Sequence, residues 1–168
     1  MPTSETTSKS NRGEDPADAG LRAGGDARKL SNYLCFAIYS ANLAFGRAYK
    51  PILDRLGLTY TQYIALVALS EEDDVTVRAL GEKLFLESNT LTPILKKLEA
   101  MGYLRRQRDP ADERQVRVSL TDAGRRLREK SMQMKLVKSS GLTPDEFTRL
   151  QRSVVRLRDN LIKVAKEG

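Results

Sequence analysis

The sequence predicts a mainly α-helical fold with one small β-hairpin, an α+β protein in which the helices dominate. Apolar residues recur every three or four positions through most of the chain after residue 28, as they do in amphipathic helices. Residues that commonly cap helices precede several of these segments. The hairpin is predicted by two short segments of alternating apolar and polar residues, which are separated by turn residues.

The composition excludes several kinds of site. The 168 residues carry a formal net charge of +7, no histidine and a single cysteine, Cys35. An imidazole base, a multi-cysteine zinc site and an intramolecular disulfide are therefore excluded, and no cofactor is expected. A basic chain can bind nucleic acid, an anionic membrane surface or an acidic partner, and charge alone does not choose among them.

A membrane role is not expected. The longest clean apolar run, residues 64–69, is far shorter than the roughly 20 residues that a membrane span requires. The N-terminal region lacks the apolar core of a secretory signal, so we expect a cytoplasmic location. Residues 1–28 contain almost no large apolar side chains and are predicted to be a disordered tail, which leaves residues 29–168 as one domain.

The first helix is predicted to begin near residue 31, where Ser31 is a suitable N-cap. Its apolar positions are Leu34, Ile38, Ala41, Phe45 and Ala48. Pro51 lies inside this pattern, so we predict a kink or a break near Tyr49, and Gly57 ends the helix.

The next helix has a strong start signal. Thr59 and Gln62 stand three residues apart, as in a capping box, before a helix predicted over residues 60–70. The acidic stretch 71–74 is predicted to be its exit loop.

Two further helices are joined by a very short link. Thr76 is predicted to cap a helix over residues 77–84, and Ser88 to cap one over residues 89–101. Gly102 then suits the left-handed position at a helix end. Because the second helix begins with polar residues, the pair matches the helix-turn-helix plan.

A hairpin is predicted directly after these helices. Residues 103–106 and 116–120 are predicted strands, and residues 109–112 between them have turn chemistry. A hairpin in this place is a wing, so the predicted architecture is a winged helix-turn-helix.

The C-terminal region favours a dimer. Thr121 is predicted to cap a basic helix that is interrupted at residues 139–141, and Thr143 and Pro144 start the last helix. The apolar stripe of that helix is Phe147, Leu150, Val154, Leu157, Leu161 and Val164. Such a stripe can complete an intramolecular core, but on a chain this small we favour a dimer.

The helix after Ser88 and the wing are predicted to contact DNA. Short polar side chains at a helix N-terminus can reach base edges, and lysines suit phosphates. Wing arginines can enter the minor groove. The predicted contact residues are Ser88, Asn89, Thr90, Thr92, Pro93, Lys96, Lys97, Arg106, Arg108 and Arg114. Asp112 is interpreted as a brace for a wing arginine. Without the hairpin and its basic excess, an ordinary amphipathic surface helix would be the better interpretation.

The stretch from Leu80 to Gly124 resembles the MarR family of winged-helix regulators. The resemblance rests on the wing motif Asp109-x-x-Asp112-Glu113-Arg114 and on the closing Leu120-Thr121-x-x-Gly124. It implies an obligate homodimer on a palindromic operator, with the recognition helix in the major groove and the wing in the minor groove. It also implies a DNA-binding lobe over about 58–124, and dimerisation helices over about 31–57 and 121–166.

Residues 32–39, 49–53 and 58–63 resemble a subgroup of that family, the organic hydroperoxide resistance regulators (OhrR type). The resemblance implies that Cys35 is a peroxide-reactive thiol. It further implies that Tyr49 and Tyr60 of the partner subunit hydrogen-bond this thiol, with Tyr39 nearby. A second, resolving cysteine is missing, so the chain is similar to the one-cysteine type, in which a small thiol or a sulfenamide could cap the oxidised cysteine.

Helix geometry gives this site an independent constraint. Cys35 is expected in the first turn of its helix, where the dipole favours a thiolate. Tyr39 lies one turn away, whereas Tyr49 lies roughly 21 Å along a continuous helix. A site containing both Cys35 and Tyr49 therefore needs a sharp break near Pro51 or a second subunit, and the dimer is the simpler interpretation.

Other functions stay open from the residues alone. Cys35 could equally be a buried core cysteine in a repressor that responds to a phenolic or other small ligand. The same thiol could serve a cysteine-dependent peroxidase, although the basic wing would then have no role; we expect no enzymatic activity. A winged helix can also be used for protein contacts. The favoured hypothesis is a repressor that releases its operator when organic hydroperoxide oxidises Cys35, and so derepresses a detoxification gene.

Overall fold

A computed structural model describes residues 29–131 and 140–167. The predicted disordered tail, residues 1–28, lies outside the described residues, as does the first residue of the interruption predicted at 139–141. The chain divides into two compact units, Met1–Tyr63 and Ile64–Gly168, and each is considered by itself.

The described residues form six α-helices and three short β-strands. The helices are α1 (Leu34–Leu56), α2 (Tyr60–Glu71), α3 (Val77–Leu84), α4 (Ser88–Ala100), α5 (Asp122–Ser131) and α6 (Pro144–Glu167). The strands are β1 (Val75–Thr76), β2 (Leu104–Arg108) and β3 (Val116–Leu120). Helices α3 and α4 form the helix-turn-helix, and β2 with β3 forms the wing, which confirms the predicted architecture. Among these helices, none combines the length and the apolar character needed to cross a membrane.

The break predicted near Tyr49 is wrong, because α1 continues through Pro51 to Leu56. Proline removes only one backbone N–H, and the turns on either side keep their own bonds. Helix α1 ends instead at Gly57, which has a φ of 68°. There the Leu58 N–H donates to the Leu53 carbonyl at 2.9 Å, which closes the helix in a Schellman arrangement.

Ser31 is not the N-cap of α1, so that prediction is also wrong. Ser31 lies inside a short 3₁₀ turn, Leu30–Asn32, and α1 begins after the extended residue Tyr33, whose side chain makes no capping bond. The local turn takes Ser31 out of the extended backbone conformation that an N-cap requires. Cys35 is consequently the second residue of α1, within its first turn as predicted.

The capping box that starts α2 is confirmed. The Thr59 N–H donates to Gln62 Oε1 at 2.8 Å, and the Gln62 N–H donates to Thr59 Oγ1 at 3.3 Å. The same arrangement starts α6, where Thr143 and Glu146 exchange bonds from backbone N–H groups to side-chain oxygens at 2.8 and 3.3 Å. The sequence predicts the first box and the start of α6 at Thr143, and the structure adds that Glu146 completes a second box there.

The helix-turn-helix starts as predicted at α3 and one residue early at α4. Thr76 Oγ1 accepts the Ala79 N–H at 3.1 Å and caps α3. Ser88 is the first residue of α4, and the N-cap is the extended residue Glu87, which corrects the prediction for Ser88. The carbonyl of Glu87 already accepts the N–H groups of Thr90 and Leu91, so the helix has begun by Ser88.

The sheet contains one more strand than the sequence predicts. Its order is β1-β3-β2, and all pairs are antiparallel. Strand β1 has only two residues, Val75 and Thr76, which is too short to show a period of two. Strand β2 reaches Arg108, so the wing extends two residues further than predicted. Strand β1 pairs with one side of β3, and β2 pairs with the other side, so β2 is an edge strand.

The second unit is built on a leucine-rich core. Its largest fully buried side chains are Leu66, Leu69, Leu80, Leu91, Leu95, Leu98 and Val118. Helix α5 begins very close to the turn between α4 and β2, because Thr121 Oγ1 donates to the Gly102 carbonyl at 2.6 Å. At Gly124 a Cβ atom would stand 2.0 Å from the Tyr103 carbonyl oxygen, so only glycine permits this approach.

Helix α6 keeps an exposed apolar face in the single chain. Leu150, Val154, Leu161 and Val164 are between 42% and 68% exposed. An amphipathic helix with apolar side chains this accessible has a face that the other described residues, 29–131 and 140–143, leave uncovered.

We predict that Gly124→Ala destabilises the second unit by about 3 kcal/mol or more. The new methyl group would meet a backbone oxygen that cannot move without disturbing the bond from the Thr121 N–H to the Tyr103 carbonyl, 3.1 Å long. Chemical denaturation of the purified variant tests this, and an unchanged midpoint would contradict the close approach.

Candidate functional site

Helix α4 separates a buried face from a polar face. Leu91, Leu95 and Leu98 are buried. Most residues that the sequence assigns to DNA are exposed: Ser88, Asn89, Thr90, Pro93, Lys96 and Lys97. Thr92 is half-buried, and its hydroxyl donates to the Ser88 carbonyl at 2.6 Å. The first turn of α4 therefore presents short polar side chains and free backbone N–H groups, and the lysines follow one turn later.

One open cleft brings the start of α4 together with the wing. It has a volume of about 450 Å³ and lies within the second unit. Of the predicted site residues, Ser88, Thr92, Arg106, Asp112 and Arg114 line it. The remaining predicted contacts do not line the cleft, and all of them are exposed: Asn89, Thr90, Pro93, Lys96, Lys97 and Arg108.

The wing loop is ordered by its own acidic residues. Asp112 Oδ1 accepts the backbone N–H of Arg114 at 3.1 Å, and Asp112 Oδ2 accepts Gln115 Nε2 at 3.0 Å. Arg108 donates to the Glu113 carbonyl at 3.1 Å. Asp112 thus holds the backbone beside Arg114, and the Arg114 side chain stays exposed.

A second acidic group, which the sequence interpretation placed in a plain exit loop, joins the wing to the rest of the unit. Asp73 accepts the Leu120 N–H at 2.8 Å and a bond from Arg125. Burial opposes ionisation there, but these hydrogen bonds prevail and hold the pKa of Asp73 below its ordinary value. The Leu120 N–H of β3 therefore donates to a charged carboxylate, which joins the end of this wing strand to the loop after α2.

Arg117 links the neighbouring loop to the hairpin. Its guanidinium donates to Asp74 Oδ1 at 3.1 Å, to the Asp74 carbonyl, and to Asp109 Oδ2 at 3.2 Å. Asp74 has a φ of 55°, a left-handed conformation that aspartate adopts more readily than most residues. The sequence does not predict this backbone conformation, and so it does not predict that Asp74 pairs with Arg117.

Arg106 is held by a carboxylate of α4. Glu99 Oε1 accepts the Arg106 backbone N–H at 3.0 Å. Glu99 Oε2 accepts the Arg106 Nε–H at 2.8 Å and lies 2.7 Å from Arg106 Nη2. These bonds from Arg106 hold the pKa of Glu99 below its ordinary value, so Glu99 is charged at neutral pH. The sequence interpretation assigned Arg106 to DNA and did not single out Glu99.

Cys35 and the tyrosines occupy different parts of the first unit. Cys35 is exposed, and Tyr39, one turn further along α1, is 59% exposed. The ring of Tyr49 lies 5.2 Å from that of Tyr60 and 5.7 Å from that of Tyr63, measured between centroids. The structure therefore brings Tyr49 and Tyr60 together, and adds Tyr63 to them.

The unbroken helix keeps this cluster away from Cys35 of the same chain. Tyr49 is fourteen residues beyond Cys35 in α1, which corresponds to roughly 21 Å along the axis. Burial, followed by the nearby Tyr63, raises the pKa of Tyr60, so its hydroxyl stays protonated and able to donate at neutral pH. Within the described residues, groups of three or more acidic, histidine or cysteine side chains that could hold a metal are absent.

The chain is similar in sequence to known transcriptional regulators. The family described as transcriptional regulator SarA/Rot matches residues 47–149. The HTH-type transcriptional regulator TtmR of Methylorubrum extorquens is 46% identical over 138 residues, which cover 81% of this chain and 71% of TtmR. The organic hydroperoxide resistance transcriptional regulator of Bacillus subtilis is 47% identical over 107 residues, which cover 64% of this chain and 73% of that regulator.

A solved structure extends the likeness to three dimensions. Reduced AbfR bound to DNA, a protein of Staphylococcus epidermidis, superposes with a TM-score of 0.70 at 36% identity. The superposition covers 80% of this chain and 94% of AbfR.

We predict that Asp73→Ala destabilises the second unit by about 1–3 kcal/mol, because the Leu120 N–H would lose its acceptor beneath a buried side chain. Glu82→Ala is the control, since it removes a carboxylate whose pair with Arg78 is exposed and worth little. The stabilisation should be complete above the unfolded pKa of about 3.9 and disappear as the pH falls through the lower folded pKa. Equal denaturation midpoints for the two variants would contradict the prediction.

Proposed function

Because the chain belongs to the SarA/MarR-type winged-helix family of DNA-binding transcriptional regulators, we propose that it is a homodimeric repressor that senses organic hydroperoxides through Cys35. In the reduced state the dimer binds a palindromic operator. Oxidation of Cys35 releases the operator and derepresses a peroxide-detoxification gene. The B. subtilis relative, which is a regulator of organic hydroperoxide resistance by name, supports this specificity.

In the proposed complex, α4 enters the major groove and the wing reaches the adjacent minor groove. The exposed polar residues of the first turn of α4 face base edges, and Lys96 and Lys97 face phosphates. Arg108 and Arg114 lie on the wing, where their exposed side chains suit the narrow groove. The shared cleft between α4 and the wing supports simultaneous contact by both elements.

The proposed dimer uses helices from both ends of the described chain. The exposed apolar face of α6 supports its burial by a second copy, and α1 also exposes Leu34, Ile38, Leu43 and Phe45. A two-fold dimer would present two copies of α4 to successive major grooves, about 34–36 Å apart.

The observation that carries the sensor proposal is the separation of Cys35 from its tyrosines. Tyr49 and Tyr60 form one cluster, and the continuous α1 holds Cys35 roughly 21 Å from Tyr49. In a two-fold dimer, the tyrosine cluster of one subunit can hydrogen-bond the thiol of the other. Cys35 is exposed and lies in the first turn of α1, so a hydroperoxide can reach its sulfur.

The reaction is a two-electron oxidation of sulfur. The Cys35 thiolate attacks the terminal oxygen of the hydroperoxide, the O–O bond breaks, and an alkoxide leaves and takes a proton to become an alcohol. Cys35 becomes a sulfenic acid. A small thiol then forms a mixed disulfide with loss of water, or a backbone nitrogen forms a sulfenamide with loss of water. The added oxygen disturbs the tyrosine hydrogen bonds.

We predict that Cys35→Ser retains operator binding but no longer releases DNA on treatment with cumene hydroperoxide. The probe is a palindromic duplex that the wild-type protein selects from a random-sequence pool. Peroxide should weaken wild-type binding at least about tenfold, a coupling within the usual allosteric range, and dithiothreitol should restore it. A serine variant that still releases the duplex would remove Cys35 as the sensor and favour the small-ligand repressor.

We also predict that the sensor site is completed across the dimer. A mixed dimer pairs a Cys35→Ser subunit with a Tyr49→Phe/Tyr60→Phe subunit, so that the remaining thiol faces intact tyrosines only across the interface. Dimedone labelling should show the wild-type rate of sulfenic acid formation for that thiol. The Tyr49→Phe/Tyr60→Phe homodimer should react about tenfold more slowly, the scale of lost hydrogen bonds to a charged group. Equal, slow rates in the two dimers would place the tyrosines in the same subunit as the thiol.

A further inference from the structure

We infer that Glu99 is a positioning residue for DNA binding, which sets the wing relative to α4 by holding the backbone and the guanidinium of Arg106. The inference rests on the proposed binding of DNA by α4 and the wing, and it reassigns Arg106 from a direct contact to a brace. Glu99 itself is an anion in a helix whose exposed lysines are proposed to face phosphates, so its presence requires another explanation.

The geometry joins two elements that are connected only by a tight turn. Glu99 lies in the last turn of α4, and Arg106 is the third residue of β2. Between them the chain reverses at Gly102, which has a φ of 77°. Both oxygens of the Glu99 carboxylate are used across this turn, at 2.7–3.0 Å from Arg106 nitrogens. Three charge-assisted contacts to one residue fix an orientation as well as a distance.

The Arg106 N–H that donates to Glu99 lies on the outer edge of the sheet, where no described strand offers it an acceptor. Strand β2 is the edge strand, and Arg106 stands opposite Val118 of β3. Alternate residues of an antiparallel strand direct their N–H groups away from the partner strand. Glu99 therefore provides the acceptor that a fourth strand would otherwise supply, and it ties the outer edge of the wing to α4.

Arg106 lies in the cleft that both proposed DNA-contacting elements share. Arg106 lines the cleft that also holds Thr92 of α4 and Arg114 of the wing. Its side chain is only 24% exposed and is directed to Glu99. If the pair between Glu99 and Arg106 were broken, the wing could change its angle to α4. Arg114 would then no longer reach the minor groove, while α4 stayed bound in the major groove.

The test exploits the sign of the charge. Removing an anion beside a proposed DNA-binding surface should strengthen binding on electrostatic grounds alone. We expect the reverse for Glu99→Gln and Glu99→Ala in the full-length dimer, namely binding about tenfold weaker to the duplex selected by the wild-type protein. Glu82→Gln is the matched control, because Glu82 also pairs with an arginine, Arg78, but within a single helix. That control should bind as tightly as the wild type or slightly more tightly.

Further measurements separate positioning from a loss of folding. Circular dichroism and sedimentation should show a folded dimer, and Arg114→Ala gives the affinity expected when a wing contact is lost. The slope of log affinity against log salt should fall by about 0.9 for each phosphate contact that is lost. Hydroxyl-radical footprinting should lose protection in the flanking minor grooves and retain it across the central major grooves.

A double-mutant cycle decides the role of Arg106. If Arg106 acts through Glu99, Arg106→Gln with Glu99→Gln should bind no more weakly than either single variant. Tighter binding by the Glu99 variants, or additive losses in the double variant, would overturn the inference while leaving operator binding intact. A wild-type protein that selects no duplex would instead refute the proposed function.

Discussion

The unbroken length of α1 is the constraint on which the proposed chemistry depends. A helix that runs from Leu34 to Leu56 separates its first turn from Tyr49 by a distance that no side chain can span. Tyr60 is separated from Cys35 together with Tyr49, because the rings of the two tyrosines lie in contact. Had Pro51 broken the helix, one chain could have folded its tyrosines back toward Cys35. Because α1 continues, the proposed sensor needs two subunits, and redox chemistry becomes coupled to dimer geometry.

The second unit depends on carboxylates that accept bonds from the strands of the wing and from the arginines on those strands. Asp73, Asp74 and Glu99 each accept bonds from strands of the wing or from the arginines on them. These ion pairs use Arg106 and Arg117 in the framework and leave Arg108 and Arg114 exposed on the wing. Acidic residues in a basic lobe are thus consistent with DNA binding, because they hold the surface that presents the cations.

Elements whose signals are local could be predicted from the sequence. The capping boxes at Thr59 and Thr143 and the cap at Thr76 each depend on partners three residues away, and all three are present. Strand β1 could not be predicted, since two residues carry no periodicity. The contact from Asp73 to Arg125 spans 52 positions, and only the assembled sheet brings those residues together. The sensor and DNA residues are proposed from residue pattern, resemblance and helix geometry, whereas the contacts of Glu99 with Arg106 and of Tyr63 with Tyr49 are visible only in the structure.

The bracing of the second unit constrains how the proposed oxidation would release DNA. Glu99 holds the wing to α4, and Asp73 and Arg117 hold it to the loop before β1, so in the proposed complex α4 and the wing act as one rigid reader of DNA. A chemical change at the start of α1 cannot easily deform such a reader from within. It can change the separation of the two readers in a dimer, because α1 is proposed to lie at the interface. Two rigid readers would tolerate little error in spacing on successive major grooves, so in the proposed mechanism a small shift at Cys35 would weaken both contacts together.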